Sequence, residues 1–410
     1  MKYLVMLGDG MADHPIPGLN NRTPLEAANK PTMDFLAANG ECGMCATVPE
    51  GMVPESDTAN LAVMGYDPRV YSKGRSPLEA MSMGLEMGPE DFAFRCNVVT
   101  VSEQEENYED KKMIDHSAGE ITTAEAAELI RAVEDRFGTD VRHFYPGVSY
   151  RHCMIWKNPP GYEKSERIYD FSRPHDIIGR RIGEYIPSGD IGGEYGRMYA
   201  ESFKLLSNHP VNLRRRSEGK LPANSIWLWS PGKKPFLTSF TERFGFNGTV
   251  ISAVDLIKGI GICAGLKTPF VEGATGTVDT NYDGKMRAAV EAFKNGDDFV
   301  YIHVEGPDEC GHRAETENKI KSIEKIDDLI LRPVKEYLES TGEDFRILLM
   351  PDHPTPIELR THAREPVPFV IYDSRRRIAS GVDRYDENIA KKTDLFVPEG
   401  YRLIERFIVR

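Results

Sequence analysis

No run of apolar residues in this 410-residue chain approaches the ~20 that a membrane-spanning helix requires. The opening stretch "MKYLVML" is shorter than a signal-peptide core and leads straight into "GDG". A cytoplasmic protein with no membrane partner is the expectation. Basic charge is also short: 51 Lys and Arg stand against 64 Asp and Glu, a formal net charge of -13. Nucleic acids are bound chiefly through a basic footprint, so no nucleic-acid partner is expected, and an anionic ligand would need a locally basic pocket. Cysteine is scarce, and six in a chain of this length are too few for a disulfide framework. Cys42 and Cys45 form a C-x-x-C in "GECGMC", but no second such pair completes a zinc site and the surroundings lack a redox-domain pattern, so the pair reads as structural. A G-x-S-x-G elbow is missing too, which removes support for an α/β-hydrolase triad.

What is present is the composition of a globular protein, 40% hydrophobic and 28% charged, long enough for two domains or one large domain with an insertion. "KYLVML" is a nearly continuous apolar run, as expected of a strand buried on both faces of a parallel sheet. Helix signals follow in "RTPLEAANK", with Thr23 as cap and Pro24 at the first helical position, and in "PTMDFLAANG", closed by Asn39 and Gly40. "SPLEAM" places Ser76 and Glu79 at capping-box spacing. The texture changes near residue 89. "FAFRCNVVTVS" and "GVSYRHCMIW" read as strands and "ITTAEAAELIRAVEDRFG" as a helix capped by Thr122 and Glu125, followed by a polar stretch containing "NPPGYEKSE" and "LRRRSEGK". Buried-strand runs return in "SIWLW", "GTVISAV", "DFVYIHVE", "FRILLM" and "VPFVIY", interleaved with helices. The pattern predicts an α/β protein whose doubly wound, mostly parallel core spans 1–88 and 224–410, interrupted by a smaller α+β insertion at 89–223.

Three apolar strands end in the same kind of residue. "YLVMLGDG" delivers Asp9, "FVYIHVEGPDECGH" delivers Asp308 and His312, and "RILLMPDHPTP" delivers Asp352 and His353. In open α/β sheets ligands bind beyond the carboxyl ends of the strands, so these groups should converge. Converging carboxylates repel unless cations lie between them. With His362 of "RTHAREPVPF" there are six ligands, enough for two divalent ions. Mixed Asp and His donors suit manganese first, with zinc, cobalt or magnesium as alternatives. His303, inside an apolar strand, reads as a core histidine. In "MVPESDTANLAVMGYDP", Ser56 sits where a helix N-cap is expected. A free serine hydroxyl is a poor nucleophile, but metal coordination can activate it to accept a phosphoryl group.

The segments "GDGMAD", "TPLEAANKPTMDFLA", "SDTANLAVMGYDP", "GATGTVDTNYDGK", "DFVYIHVEGPDECGH", "PDHPTP" and "THAREPVPF" resemble the archaeal-type cofactor-independent phosphoglycerate mutases of the alkaline-phosphatase superfamily, over essentially the whole chain. The resemblance implies an alkaline-phosphatase-like fold and a mutase that uses no bisphosphoglycerate and acts on a small phosphorylated metabolite. It further implies that Asp308, His312 and His362 hold one metal, that Asp9, Asp352, His353 and Ser56 hold the other, and that Ser56 carries the phosphoryl group between the hydroxyls of glycerate. The insertion resembles that family's transferase domain. Arg95, His116, Arg151 and His152 in the insertion, and Lys258 in the core, are the candidate substrate-binding groups, Arg for bidentate contacts and Lys as a point charge. Ser117 of "IDHSAG" stands where many such mutases have arginine, and several segments resemble a subgroup proposed to phosphorylate homoserine. A homoserine phosphotransferase and a metal-dependent phosphatase are therefore the alternative activities, and a non-catalytic metal-binding protein the bland one.

Overall fold

The structure is a computed structural model, and it describes residues 1–72, 74–159, 171–187, 192–378 and 380–408. Most of "NPPGYEKSE" lies outside the described residues. Twelve strands occur among the described residues: β1 (Lys2–Gly8), β2 (Glu41–Cys45), β3 (Phe92–Val101), β4 (Met113–Asp115), β5 (Arg142–Tyr145), β6 (Arg151–Trp156), β7 (Ser225–Lys233), β8 (Gly248–Ile251), β9 (Phe299–Val304), β10 (Phe345–Met350), β11 (Val367–Asp373) and β12 (Phe396–Val397). They divide between two compact units, Met1–Ser72 with Phe236–Arg410, and Lys73–Pro235. Among the described residues no helix is long and apolar enough to cross a membrane.

The first unit holds a seven-stranded sheet in the order β12-β2-β11-β10-β1-β9-β8. Pairing is parallel for β12 with β2, β10 with β1, β1 with β9 and β9 with β8, and antiparallel on both sides of β11. The apolar run of β1 is explained by burial on both faces. Leu4 and Met6 join Ile302, Ile347 and Leu349 against Leu36, Phe293, Ile323 and Leu338 of flanking helices, while the alternate residues Tyr3, Val5 and Leu7 are buried as well. This is a doubly wound α/β core.

The second unit is built on a five-stranded antiparallel sheet in which β3 pairs with β4, β6 and β7, and β5 lies outside β6. Phe94, Cys96 and Met154 of one face pack with Leu129, Ile130 and Val133 of the helix Thr123–Phe137 and with Tyr195 and Tyr199 of the helix Gly192–Ser207. Thr122 caps the first of these helices by accepting the Glu125 N–H, as the sequence suggested.

Three expectations are corrected here. "SIWLW" does not return to the parallel core, because β7 pairs antiparallel with β3 along most of its length. The second unit accordingly runs from 73 to 235 and not from 89 to 223. It also takes in the short helix Ser76–Ser82, where Ser76 is not a cap. Its hydroxyl donates to the Ser230 carbonyl and accepts the Arg95 N–H, and Glu79 pairs with the Arg95 guanidinium. Tertiary partners have drawn both members of the apparent capping box into the sheet. Cys42 and Cys45 are buried free thiols three residues apart on β2, hence on opposite faces, and burial pushes each thiol up to about 12.

Candidate active site

Strand register brings the carboxylates together. Leu7 of β1 lies between His303 of β9 and Met350 of β10, so the chain leaves all three strands on one edge, toward Asp9, Asp308 and Asp352. The turn after Asp9 passes close under Asp308. Gly10 has φ +60°, and a Cβ there would stand 2.7 Å from the Asp308 Cα and 2.5 Å from the Thr355 hydroxyl. Only glycine permits both the backbone and the approach. The Gly10 N–H donates to Asp352 Oδ1 at 3.2 Å.

Two groups of side chains result. In one, His312 Nε2 is 3.2 Å from Asp308 Oδ2 and 3.0 Å from His362 Nε2, and His362 Nε2 is 3.4 Å from Asp308 Oδ1. In the other, His353 Nε2 is 3.6 Å from Asp9 Oδ1, 3.5 Å from Asp352 Oδ2 and 3.3 Å from Ser56 Oγ. Compatible ligand atoms of Asp308, His353 and His362, and of Asp9, Asp352 and His353, lie within 4.8 Å of one another. Ser56 is not the cap. Glu55 holds that position without a side-chain capping bond, and Ser56 is the first residue of the helix Ser56–Val63, its hydroxyl turned to His353.

The hydrogen bonds fix which ring nitrogens face inward. His312 Nδ1 and His362 Nδ1 donate to the carbonyls of Arg360 and Pro54, at 3.0 and 2.8 Å. Thr355 gives its hydroxyl hydrogen to Asp308, which can only accept, so its oxygen receives the Nδ1–H of His353. In the neutral rings all three Nε2 lone pairs are therefore turned into the site. His303 is arranged the other way: Asp9 Oδ2 as a carboxylate oxygen accepts the His303 Nε2–H at 2.8 Å, so in the neutral ring Nδ1 accepts the hydroxyl of Ser252, whose oxygen also accepts the Val254 N–H. Burial lowers the His303 pKa to about 3, so the ring is neutral.

Such a set is poorly balanced without a cation. Asp9 Oδ1 is buried and has no hydrogen-bond partner among the described residues. Burial, then the charges of Asp352, Asp308 and Glu305, push the Asp9 carboxyl well above its usual range. Burial also opposes charge on Asp308, but its bonds to His312 and His362 outweigh this and hold it well below that range. The same contact raises His312 to about 9, and raises His362 against the effect of burial. Divalent cations would answer the orphaned oxygen, the like charges and the inward lone pairs together, so the residues fit metal binding.

The candidate anion-gripping groups are divided. Lys258 lies in the first unit, on the helix Asp255–Cys263, and pairs with Asp255 at 2.6 Å. Arg95, His116 and Arg151 lie in the second unit and are linked by a chain of rings in edge-to-face contact. The Arg95 guanidinium sits 4.5 Å from the Trp229 ring, Trp229 meets His175, His175 meets His116, His116 meets Tyr150, and Arg151 lies over Tyr150. His152 does not join them. It pairs across the sheet with Cys96, on the face opposite Arg95, where it is buried and its Nδ1 accepts the Gly147 N–H.

A sequence profile described as 2,3-bisphosphoglycerate-independent phosphoglycerate mutase matches residues 37–212. A Geobacter sulfurreducens protein named as a probable 2,3-bisphosphoglycerate-independent phosphoglycerate mutase is 49% identical over 410 residues, covering 100% of both chains. This chain belongs to that mutase family. The structure agrees with that of a Pyrococcus horikoshii protein (TM-score 0.80, 28% identity, 99% and 96% of the chains covered) and with the cofactor-independent phosphoglycerate mutase of Thermoplasma acidophilum (TM-score 0.68, 27% identity, 99% of each).

Some residues that hold this candidate site together carry no mark in the sequence. Lys319 lies in the amphipathic helix Thr316–Ile326, where nothing distinguishes it from Lys321 or Lys325. It is wholly buried, and its ammonium donates to Asp13 Oδ2 at 2.7 Å, to the Thr355 carbonyl at 2.8 Å and to the Ala12 carbonyl at 3.3 Å. It thereby ties the loop after β1 to the loop after β10. Lys319→Met is expected to lower stability by about 3–5 kcal/mol, because the Asp13 charge would remain buried without its partner. Urea denaturation of the full chain measures this.

Proposed function

We propose that this chain interconverts 3-phosphoglycerate and 2-phosphoglycerate through a phosphoserine at Ser56. The observation that carries the proposal is the Ser56 hydroxyl, 3.3 Å from His353 Nε2 beside two metal-ligand groups, in a member of this mutase family. Asp308, His312 and His362 would hold one divalent ion, and Asp9, Asp352, His353 and Ser56 the other, with manganese the first choice for mixed carboxylate and imidazole donors. When bound, such ions supply positive charge that favours an ionised serine hydroxyl and offsets the charge of the phosphoryl oxygens.

The protein supplies the rest. As the first residue of its helix, Ser56 has the N–H groups of the first turn and the positive end of the helix dipole beside it, a setting suited to a phosphoryl group. Ser56 Oγ bonds to phosphorus as the bond to the glycerate oxygen breaks, and that oxygen takes up the proton the serine gave. The other glycerate hydroxyl then bonds to phosphorus as the bond to Ser56 Oγ breaks, and the proton that hydroxyl loses returns to Ser56. Arg95, His116, Arg151 and Lys258 are proposed to bind the substrate's anionic groups.

The named relatives favour phosphoglycerate over an amino-acid hydroxyl as acceptor. Ser117, the residue that raised the homoserine alternative, is taken up locally, its hydroxyl and N–H both donating to Asp115. An enolase-coupled assay with 3-phosphoglycerate and manganese tests the proposal. Turnover supports it, and phosphorylation of homoserine in the absence of that turnover would overturn it.

A further inference from the structure

Asn60 stands one turn beyond Ser56 in the same helix and is wholly buried. Its Nδ2 donates to the Ser56 carbonyl at 2.9 Å and to Asp352 Oδ2 at 2.8 Å. A carbonyl and a carboxylate can only accept, so the amide's NH2 must face both, which leaves Oδ1 on the other side. There Tyr301, also fully buried, donates its hydroxyl to Oδ1 at 2.5 Å. The other oxygen of Asp352 is held by the N–H groups of Gly10 at 3.2 Å and His353 at 2.9 Å. Three donors thus set the plane of the carboxylate, and only Asn60 also grips the backbone of the proposed nucleophile.

We infer that Asn60 is a positioning residue that fixes the spacing between the Ser56 helix and the metal-ligand carboxylate Asp352, with Tyr301 setting the orientation of its amide. The inference rests on the proposed roles of Ser56 and Asp352. An asparagine that bonded only to the carbonyl four residues back would be an ordinary local helix feature. The reach to Asp352, 292 residues away in the chain, is not local. Groups that orient a metal ligand in this way commonly govern metal affinity and activity by ~10–100-fold.

The test compares Asn60→Ala, Asn60→Asp and Tyr301→Phe in the full-length protein, with manganese affinity of the chelated protein measured by calorimetry and kcat and KM measured on 3-phosphoglycerate. Asn60→Ala is expected to weaken manganese binding by ~10-fold or more and to lower kcat similarly with KM little changed. Asn60→Asp should lose more, since it turns a carboxylate toward Asp352 and the Ser56 carbonyl. Tyr301→Phe should lose less, because the two acceptors still hold the amide. A merely structural role would lower the melting temperature and leave the manganese Kd and kcat at their wild-type values, and that result overturns the inference. If the Asn60 variants fail to fold, wild-type manganese affinity and kcat in Tyr301→Phe overturn it. Absence of turnover in the wild type would count against the mutase reading alone, and the manganese titrations would still decide the role of Asn60.

Discussion

Ser56→Ala is expected to reduce phosphoryl transfer by ~1,000-fold or more while leaving the protein folded, since the change removes the atom to which the phosphoryl group would bond. The structure explains why folding should survive. Glu55, not Ser56, stands at the helix N-cap, and the Ser56 hydroxyl meets His353 at 3.3 Å without accepting a capping N–H. Losing one such contact at a half-buried position is expected to cost no more than ~1 kcal/mol. Asp9, Asp352 and His353 would remain as ligands, so the variant should still bind manganese. Activity assays beside a melting curve and a manganese titration separate these effects. Substantial residual turnover in a folded, metal-loaded Ser56→Ala protein would exclude the covalent route.

Exhaustive chelation is expected to abolish turnover, and manganese to restore it. The response should depend on pH in a defined direction. In the metal-free protein the bond to Asp308 raises His312 from 6.5 to about 9, so at neutral pH a metal ion must displace a proton to reach its Nε2. Manganese affinity should therefore weaken as pH falls below about 9, approaching ~10-fold per pH unit for each proton displaced. The stability of the chelated protein has the opposite trend. A folded-state pKa raised above the unfolded one stabilises fully below the unfolded value and loses that contribution as pH rises through the folded one. The part due to His312 is present below about 6.5 and fades as pH passes about 9. Activity that survives complete metal removal would rule out the metal scheme, and manganese affinity independent of pH over this range would show that His312 is not a ligand.

Most of the ligand candidates were legible because they follow buried apolar runs. Asp9, Asp308, Asp352 and His353 lie just past the ends of β1, β9 and β10, His312 is one helical turn beyond Asp308, and His362 follows in the segment before β11. Parallel register then does what the pattern implied and sends these chain ends to one edge. Less visible was whatever depends on which surface meets which. "SIWLW" has the apolar pattern of any buried strand, and hydrophobicity does not specify whether its partner is β3 or a strand of the parallel core. Ser76 and Glu79 had the spacing of a capping box, but Arg95 and the Ser230 carbonyl compete for both side chains. His303 is indeed a satisfied buried histidine, yet one of its partners is Asp9, which links a core residue to the site. Lys319 and Asn60 look like unremarkable polar residues of helices, and their roles become visible only when distant loops are placed around them.

In the proposed reaction Ser56 carries the phosphoryl group. Mass spectrometry of the manganese-loaded protein, quenched during turnover of 3-phosphoglycerate and digested, tests it most directly. The peptide containing Ser56 is expected to gain the mass of one phosphoryl group, with fragmentation assigning it to Ser56 and with no such gain in Ser56→Ala. An unmodified Ser56 peptide during demonstrated turnover, or a phosphoryl group on another residue, would contradict it.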